Sequence, residues 1–229
     1  MAYRTLMKHV ITKASAICTV SDFVRGEIVD AYGPATASKI SVIREGVSDL
    51  YRPSSAILKE HVRKKYDLRR PFFLYVGNAK EHKNVQTLLD AFQESGNTTH
   101  DFVLLTGGKE FSRFQKIPSG VRRLSNIPDA DLPVFYSLAE ALFTATLYEG
   151  YCLPVAEAMA CGCPVIATDI PVIREIANGH ALFIDPTVEN FAEAMCCNTY
   201  RHSEPFVVGT WEKTAEETEA LLHNVLERL

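Results

Sequence analysis

No stretch of this chain is apolar enough to cross a bilayer, since none approaches the ~18 uncharged residues that a spanning helix needs. The N-terminal apolar run is interrupted by Lys8, His9 and Lys13, which makes a poor signal peptide. Charge of one sign is also scarce. Lys plus Arg number 24 against 28 Asp plus Glu, for a formal net charge of −4, and no five like charges adjoin. The densest basic cluster, His61-Val62-Arg63-Lys64-Lys65 with Arg69-Arg70, is too narrow for a nucleic-acid surface and reads as a solvated helix face. Six cysteines (Cys18, Cys152, Cys161, Cys163, Cys196 and Cys197) include no CxxC pair and no His at zinc-finger spacing. Cys161 and Cys163 flank Gly162 in an apolar stretch and read as small buried hydrophobes. Unpaired thiols suit a reducing compartment. No repeat of fixed period is present. These absences lead us to expect a cytoplasmic chain with no membrane span, no nucleic-acid partner and no metal site.

What is present is an ordinary globular composition, 229 residues with 47% apolar and 23% charged side chains. That suffices for a core without disulfide or metal staples. Short apolar runs at Ile17–Val20, Ile40–Ile43, Phe72–Val76, Phe102–Thr106, Ala141–Thr146, Val165–Thr168 and Ala181–Ile184 read as strands. Apolar on both faces, they belong to a parallel sheet covered on both sides. Between them, Asn84–Glu94 carries Val85, Leu88, Leu89 and Phe92 at helical spacing. Leu132–Ala139, Pro154–Ala160, Val172–Ala177 and Val188–Met195 behave alike. Such alternation predicts an α/β, doubly wound parallel sheet.

Two regions fall outside that pattern. Residues 1–46 hold a helix, a strand, the helix Asp22–Tyr32 and a strand ending at Arg44-Glu45-Gly46-Val47. Residues 48–55, with Pro53, look like a linker. At the other end, Cys196–Thr210 reads as loop and Trp211–Leu229 as an amphipathic helix. The expected organisation is therefore a front segment 1–46, a Rossmann-like domain 47–198 and a closing segment 199–229.

Ligands of open α/β sheets bind outside the carboxyl ends of the strands, which directs attention to the strand exits. After Phe72–Val76 come Gly77 and Asn78, with Lys83 at the start of the next helix. A helix N-terminus with an added lysine suits phosphate, although the local sequence taken alone favours a plain turn with a solvated lysine. The Gly-x-x-x-x-Gly-Lys-Ser/Thr spacing of a P-loop is absent. Gly107-Gly108 mark a similar exit. The richest segment follows Ala141–Thr146: Glu149, Gly150, Tyr151, Cys152 and Leu153, then Pro154 where a helix begins and Glu157 about one turn inside it. Uncapped amides of that first turn would face the cleft. Glu157 is also stabilised by the helix dipole alone, by ~0.3–1 kcal/mol. Glu149, in a loop beside glycine, has few structural uses, and a carboxylate accepts well from sugar hydroxyls. Both carboxylates are expected to border one pocket.

Glu149 and Glu157, seven residues apart inside YEGYCLPVAEAMACGCPVIATD, resemble the EX7E motif of retaining glycosyltransferases with the GT-B fold, in particular glycosyltransferase family 4, also called group 1. Thr19-Val20-Ser21-Asp22-Phe23, Val42–Val47, Tyr75–Asn78 with Lys83-Asn84, Ile127-Pro128-Asp129 and Trp211–Thr218 match further segments of the family in order.

The resemblance implies roles. Glu149 would contact donor-sugar hydroxyls near the anomeric carbon and Glu157 would hold the ribose. Backbone amides of Gly150, Tyr151, Cys152 and Leu153 would hold sugar and phosphate. Lys83, beside Gly77 and Asn78, would neutralise the diphosphate, and Ile127 and Asp129 would touch the base. No metal or other cofactor is implied. The partner is a nucleotide-sugar donor, and the reaction is transfer of a hexose with retention of configuration. The turn at 75–84 resembles bacterial mannosyl- and rhamnosyltransferases, which points to GDP-mannose, with UDP-sugars next. The chain also departs from the family. Asn78 stands where an arginine is usual, and Cys152 where a glycine is usual. Most of the first, acceptor-side domain is absent, and the closing helix normally packs toward it. Catalysis would then need a separate acceptor-domain chain or an upstream region. Exposed apolar surface at both ends would invite self-association, and peripheral membrane contact would belong to the missing half. A non-catalytic binding or interaction module descended from such a domain is the alternative. A glycosidase using the two carboxylates as acid and base fits the surrounding pattern poorly.

Overall fold

The computed structural model describes residues 2–108, 110–114, 116–196, 200 and 203–227. The chain forms two compact units, residues 1–48 with 209–229, and residues 49–208. Among the described residues, no helix is long and apolar enough to cross a membrane.

The first unit contains α1 (Ala2–Lys13), β1 (Ile17–Thr19), α2 (Asp22–Tyr32), β2 (Ile40–Val42) and α9 (Trp211–Leu226). Strands β1 and β2 pair in parallel, Ile17 opposite Ile40. Ser21 starts α2 because its hydroxyl accepts from the Val24 amide at 3.2 Å, a cap of the Ser-x-x type. Gly33, at φ +99°, ends the helix with its amide on the Val29 carbonyl. Helix α9 begins in the same way, the Thr210 hydroxyl accepting from the Lys213 amide at 3.3 Å.

Gly46 explains how α9 can start where it does. A β-carbon at Gly46 would lie 2.1 Å from the Trp211 nitrogen, so only glycine lets the two backbones meet. The Val47 amide then donates to the Gly209 carbonyl at 2.9 Å, and the Thr214 hydroxyl to the Arg44 carbonyl at 2.7 Å. Gly46→Ala must push the start of α9 away. The expected loss is about 1–3 kcal/mol, the usual range for overpacking. Trp211 is the sole tryptophan of the chain, so its emission should shift with the displacement, and an unchanged spectrum and melting point would refute this account of Gly46.

The second unit contains α3 (Ala56–Lys65), β3 (Phe72–Val76), α4 (Val85–Glu94), β4 (Asp101–Leu105), β5 (Val121–Leu124), α5 (Leu132–Leu138), β6 (Ala141–Thr144), α6 (Leu153–Ala160), β7 (Val165–Thr168), α7 (Pro171–Ala177), β8 (Leu182–Ile184) and α8 (Val188–Cys196). All six strands are parallel, in the order β5-β4-β3-β6-β7-β8. Helix α4 packs on α8, while α3, α5, α6 and α7 pack in succession. The core beneath α4 and α8 is aromatic, with Phe73, Phe102, Phe143 and Phe191 in one cluster. Every residue of β4, β6 and β7 is buried, as a sheet covered on both faces requires.

The strand order reverses between β3 and β6. These two pair only at Phe73 with Ala141 and Leu74 with Leu142, whereas β3 and β4 stay in register through Val76 and Leu105. Pairing between β3 and β6 therefore ends short of their carboxyl ends, where doubly wound folds bind ligands.

The expected strands and helices match these elements to within one or two residues, except that the last helix ends at Leu226, three residues before its expected end. One strand, β5, is new, and α3 carries the basic cluster at 61–65. Strand β5 reads poorly because Arg122 and Arg123 occupy its middle. Both spend their guanidinium groups on backbone carbonyls, Arg122 on Asp67 and Tyr66 at 2.6 and 2.7 Å, Arg123 on Gly108 at 3.1 Å. A strand with one neighbour in the ladder tolerates such side chains. Cys197, within the expected loop, and Leu229, at the expected end of the last helix, lie outside the described residues.

Candidate functional site

Gly77 leaves β3 at φ +144°. A β-carbon there would meet the Tyr75 hydroxyl at 3.2 Å. That hydroxyl donates to the Asn78 carbonyl at 2.6 Å, and the Asn78 side chain accepts from the Lys80 amide at 3.1 Å. Asn78 thus shapes its own turn. A short 3-10 turn, Glu81–Lys83, follows. Asn84 then adopts the left-handed conformation at φ +50°, ψ +37°, so α4 begins only at Val85. Lys83 therefore precedes the helix instead of opening it, a correction to the sequence-based reading with a local cause.

After β6 the chain leaves the sheet two residues earlier than expected. The Thr146 hydroxyl donates to the His82 carbonyl at 3.1 Å, and the Leu147 amide to the same carbonyl at 2.7 Å. These bonds tie the loop after β6 to the loop after β3. Across the tie, the Lys83 ammonium donates to Glu149 Oε1 at 2.5 Å. Their side chains are only 16% and 11% exposed, so solvent screens this pair far less than a surface pair.

Cys152 precedes α6 at φ +90°, ψ +63°, a conformation that favours glycine. Pro154 sits in the first helical turn. Burial pushes the Cys152 thiol up to about 12, with Glu149 and Glu157 adding to the rise and Lys83 opposing it. Lys83, Glu149 and Glu157 all act on this one thiol, which directly precedes α6.

Glu157 lies one turn into α6 and is engaged differently from Glu149. The buried Tyr136 hydroxyl donates to Glu157 Oε2 at 2.8 Å. Burial raises the Glu157 carboxyl above its ordinary value; Asp129 adds to the rise, and hydrogen bonds from Tyr136 and Tyr51 oppose it. A carboxyl whose native value is raised binds its proton more tightly folded than unfolded. Its ionisation therefore costs stability as pH climbs through the native value, and that cost vanishes below the unfolded one. Glu157→Gln should stabilise the fold at pH 7 by something within the ~0.5–2 kcal/mol that relieving a functional residue commonly returns. The gain should fade as pH falls towards 4. A variant less stable than wild type at pH 7 would contradict this sign.

The remaining expected residues are less tightly held. Ile127 is half-buried, and Asp129 is exposed in a 3-10 turn before α5. Asp131, two residues on and not singled out by sequence, pairs with the Lys65 ammonium and the Tyr66 hydroxyl at 2.6 Å each. Burial would raise its carboxyl, but those two partners outweigh it and hold the group low. Sequence reading also missed Tyr51, in the segment taken for a linker. Its ring lies 6.0 Å from that of Tyr136. Among the described residues, no cluster of three or more His, Cys, Asp or Glu could hold a metal ion. Cys152, Cys161 and Cys163 are buried free thiols.

A different cleft, of about 820 Å³, opens at the amino ends of β3, β4 and β5, between Arg70, Phe92, Asn97 and Lys116. It carries little chemistry. Arg70 is already committed to Asp101 at 3.0 Å and to the carbonyls of Thr98 and Thr99.

Residues 58–196 match the family model described as Glycosyl transferases group 1. The chain is 32% identical over 187 residues to O-antigen chain mannosyltransferase B of Escherichia coli, covering 77% of this chain and 49% of that protein. Among solved structures, sucrose-phosphate synthase from Thermosynechococcus elongatus superposes with a TM-score of 0.81 at 20% identity, covering 100% of this chain and 62% of that one. Anabaena HepE, in complex with UDP and glucose, superposes with a TM-score of 0.74 at 16% identity, covering 93% and 64%. The structural likenesses show a shared fold. The chain spans about half the length of the curated relatives it matches.

Proposed function

The chain belongs to the group 1 glycosyltransferase family, and on that premise we propose that residues 49–208 form the donor-binding half of a hexosyltransferase. The donor is a nucleoside-diphosphate sugar, seated where the strand order reverses between β3 and β6. The observation that carries this reading is the partly buried pairing of Lys83 with Glu149 at 2.5 Å across the two strand exits, beside the helix that carries Glu157. A cation for a diphosphate and a carboxylate for sugar hydroxyls are thereby held in one place.

In this reading Lys83 exchanges Glu149 for the diphosphate when the donor arrives. Glu149, released, accepts from hydroxyls of the hexose near its anomeric carbon. Amides of Gly150 to Leu153 face the sugar and the phosphate, Glu157 accepts from the ribose, and Ile127 and Asp129 border the base. When the bond from the anomeric carbon to the diphosphate breaks, negative charge builds on the leaving oxygen. A prearranged lysine and the amides at the start of α6 stabilise that charge without reorganising. The acceptor hydroxyl oxygen then bonds to the same face of the sugar, with retention, and its proton passes to the departing diphosphate oxygen. These groups serve in place of a metal ion. Mannosyltransferases among the relatives favour a mannosyl donor, and the UDP and glucose held by HepE keep UDP-sugars second. Residues 1–46 belong in this reading to the acceptor side, together with α9. Trp211, Leu222 and Leu226 are 44%, 57% and 67% exposed, a surface suited to an acceptor-binding half. In this reading catalysis needs an acceptor-binding half beside the donor half.

One observation favours a second reading, a nucleotide-sugar-binding module without catalysis. Asn78, at the position where the resembled family carries arginine, is spent on its own turn. A thermal-shift titration against GDP, UDP, ADP, GDP-mannose and UDP-glucose tests the donor site common to both. A ligand that binds only the folded state adds about 2.7 kcal/mol at a hundredfold excess over its dissociation constant. Stabilisation by one base, stronger with its sugar attached, is expected. No shift with any of the five at millimolar concentration would overturn the donor site.

A further inference from the structure

His82 directly precedes Lys83, and Tyr148 directly precedes Glu149. One side chain reaches the carbonyls of both. The Thr146 hydroxyl lies 3.1 Å from the His82 carbonyl oxygen and 3.2 Å from that of Tyr148. Thr146 follows the end of β6 and is fully buried. A buried hydroxyl is unfavourable unless it is hydrogen-bonded. Packing alone would be served by valine, so the hydroxyl is an additional element. The His82 carbonyl is presented by the 3-10 turn Glu81–Lys83, which the Asn84 amide closes onto the Glu81 carbonyl at 3.0 Å. That carbonyl also accepts from the Leu147 amide at 2.7 Å, so its two lone pairs serve two donors of the loop after β6.

The backbone bond from Leu147 brings the two loops together. The Thr146 hydroxyl adds something that this bond does not, because it also touches the carbonyl on the Glu149 side. Two carbonyls gathered on one hydroxyl do not drift apart without losing a contact. Each peptide unit is planar, so fixing the direction of the His82 carbonyl fixes where Lys83 starts, and fixing that of Tyr148 fixes where Glu149 starts. Lysine reaches its partner through a long, flexible side chain, and holding such a pair in one geometry costs entropy. Backbones set in advance lower that cost. We propose that Thr146 is the positioning residue of the ion pair: its hydroxyl clamps the peptide units that lead into Lys83 and Glu149 and so sets the ammonium against the carboxylate at 2.5 Å. The part this plays in holding a nucleotide rests on the donor reading above; the clamp itself does not.

The test reads the coupling of Lys83 to Glu149 in the full chain without ligand. Urea unfolding of the wild type, Lys83→Ala, Glu149→Gln and the double variant gives the factor by which the two substitutions depart from independence. That factor should be about tenfold in the unfolding constant, and less than about threefold when the four measurements are repeated with Thr146→Val. Thr146→Ser keeps the hydroxyl and should restore the coupling. Thr146→Ala, which lacks the hydroxyl in a smaller side chain, should not. A hydroxyl that serves stability alone would lower all four stabilities alike in Thr146→Val and leave the factor unchanged, and that result would overturn the proposal. Nucleotide binding is measured separately, by calorimetry with GDP, UDP and ADP. Thr146→Val should weaken the nucleotide that the wild type prefers by about three- to tenfold, the worth of one hydrogen bond. Undiminished affinity would overturn the clamp's part in binding. Should the wild type bind none of the three while the coupling collapses in Thr146→Val, the donor reading falls and the clamp stands.

Discussion

Lys83→Ala is expected to weaken binding of a nucleoside diphosphate by about thirtyfold to a hundredfold, with much less effect on the corresponding nucleoside. Two causes act in the same direction. The ammonium that would take the diphosphate is gone, and a hydrogen bond to a charged group contributes about 1.5–3 kcal/mol. Glu149, its partner at 2.5 Å and only 11% exposed, is left as an uncompensated carboxylate facing an incoming anion. Breaking one side of a buried pair costs about 3–5 kcal/mol when burial is complete, so some loss of stability should accompany the loss of binding. The two causes separate in a cycle of single and double variants. Glu149→Gln frees Lys83 and should tighten binding of the bare diphosphate several-fold while weakening that of the sugar-bearing donor. Lys83→Ala combined with Glu149→Gln should recover more affinity than Glu149→Gln gains in the wild type, because it removes a carboxylate that no cation any longer offsets. Additive effects in the four titrations would mean that the pair does not gate the diphosphate.

The largest effect on stability is expected at Phe143, on β6. It is fully buried, and its ring meets those of Phe73, Phe191 and Phe102 at 5.0, 6.3 and 6.5 Å. These rings come from neighbouring strands and from α8, so a cavity at their centre has no single element that can collapse into it. Phe143→Ala should cost about 3–5 kcal/mol. At roughly 2–4 °C per kcal/mol for a unit of this size, the melting point falls by about 10 °C. Against a typical total of 5–15 kcal/mol, that leaves the unit marginal at 37 °C. Phe143→Leu, which keeps most of the volume, should recover more than half of the loss. If denaturant unfolding puts Phe143→Ala within 1 kcal/mol of wild type, the aromatic cluster is not what holds the sheet to α4 and α8.

The strong periodicities carry the fold. Phe72–Val76, Val165–Thr168 and Asp22–Tyr32 fall on β3, β7 and α2 residue for residue, because buried parallel strands and a capped helix are each specified locally. Strand β5 was not legible. Its arginines turn their charge onto carbonyls of residues 66, 67 and 108, an arrangement decided by tertiary neighbours. The same division runs through the candidate site. Lys83, Glu149 and Glu157 stand out from residue type and place after a strand. That Lys83 and Glu149 bond to each other across 66 positions follows only from the strand order, which sets the two exits side by side. Tyr51 gave no signal at all, since a tyrosine before Arg-Pro in a loop is unremarkable until α5 and α6 bring Glu157 to it. The late start of α4 belongs with these, because the left-handed Asn84 detaches Lys83 from the helix it was expected to open.

The most direct test of the donor site is where a nucleotide binds. Amide resonances of the chain can be followed while GDP, UDP or ADP is added. The expected movements are confined to the carboxyl ends of β3 and β6, at Gly77, Asn78, Lys83 and Gly150 to Val155, and to Glu157 on α6. The cleft at the amino ends of the strands, around Gly96, Asn97 and Gly120, should stay unmoved. Perturbations centred on that opposite cleft, or none at millimolar nucleotide, would contradict a donor site at the reversal of the sheet.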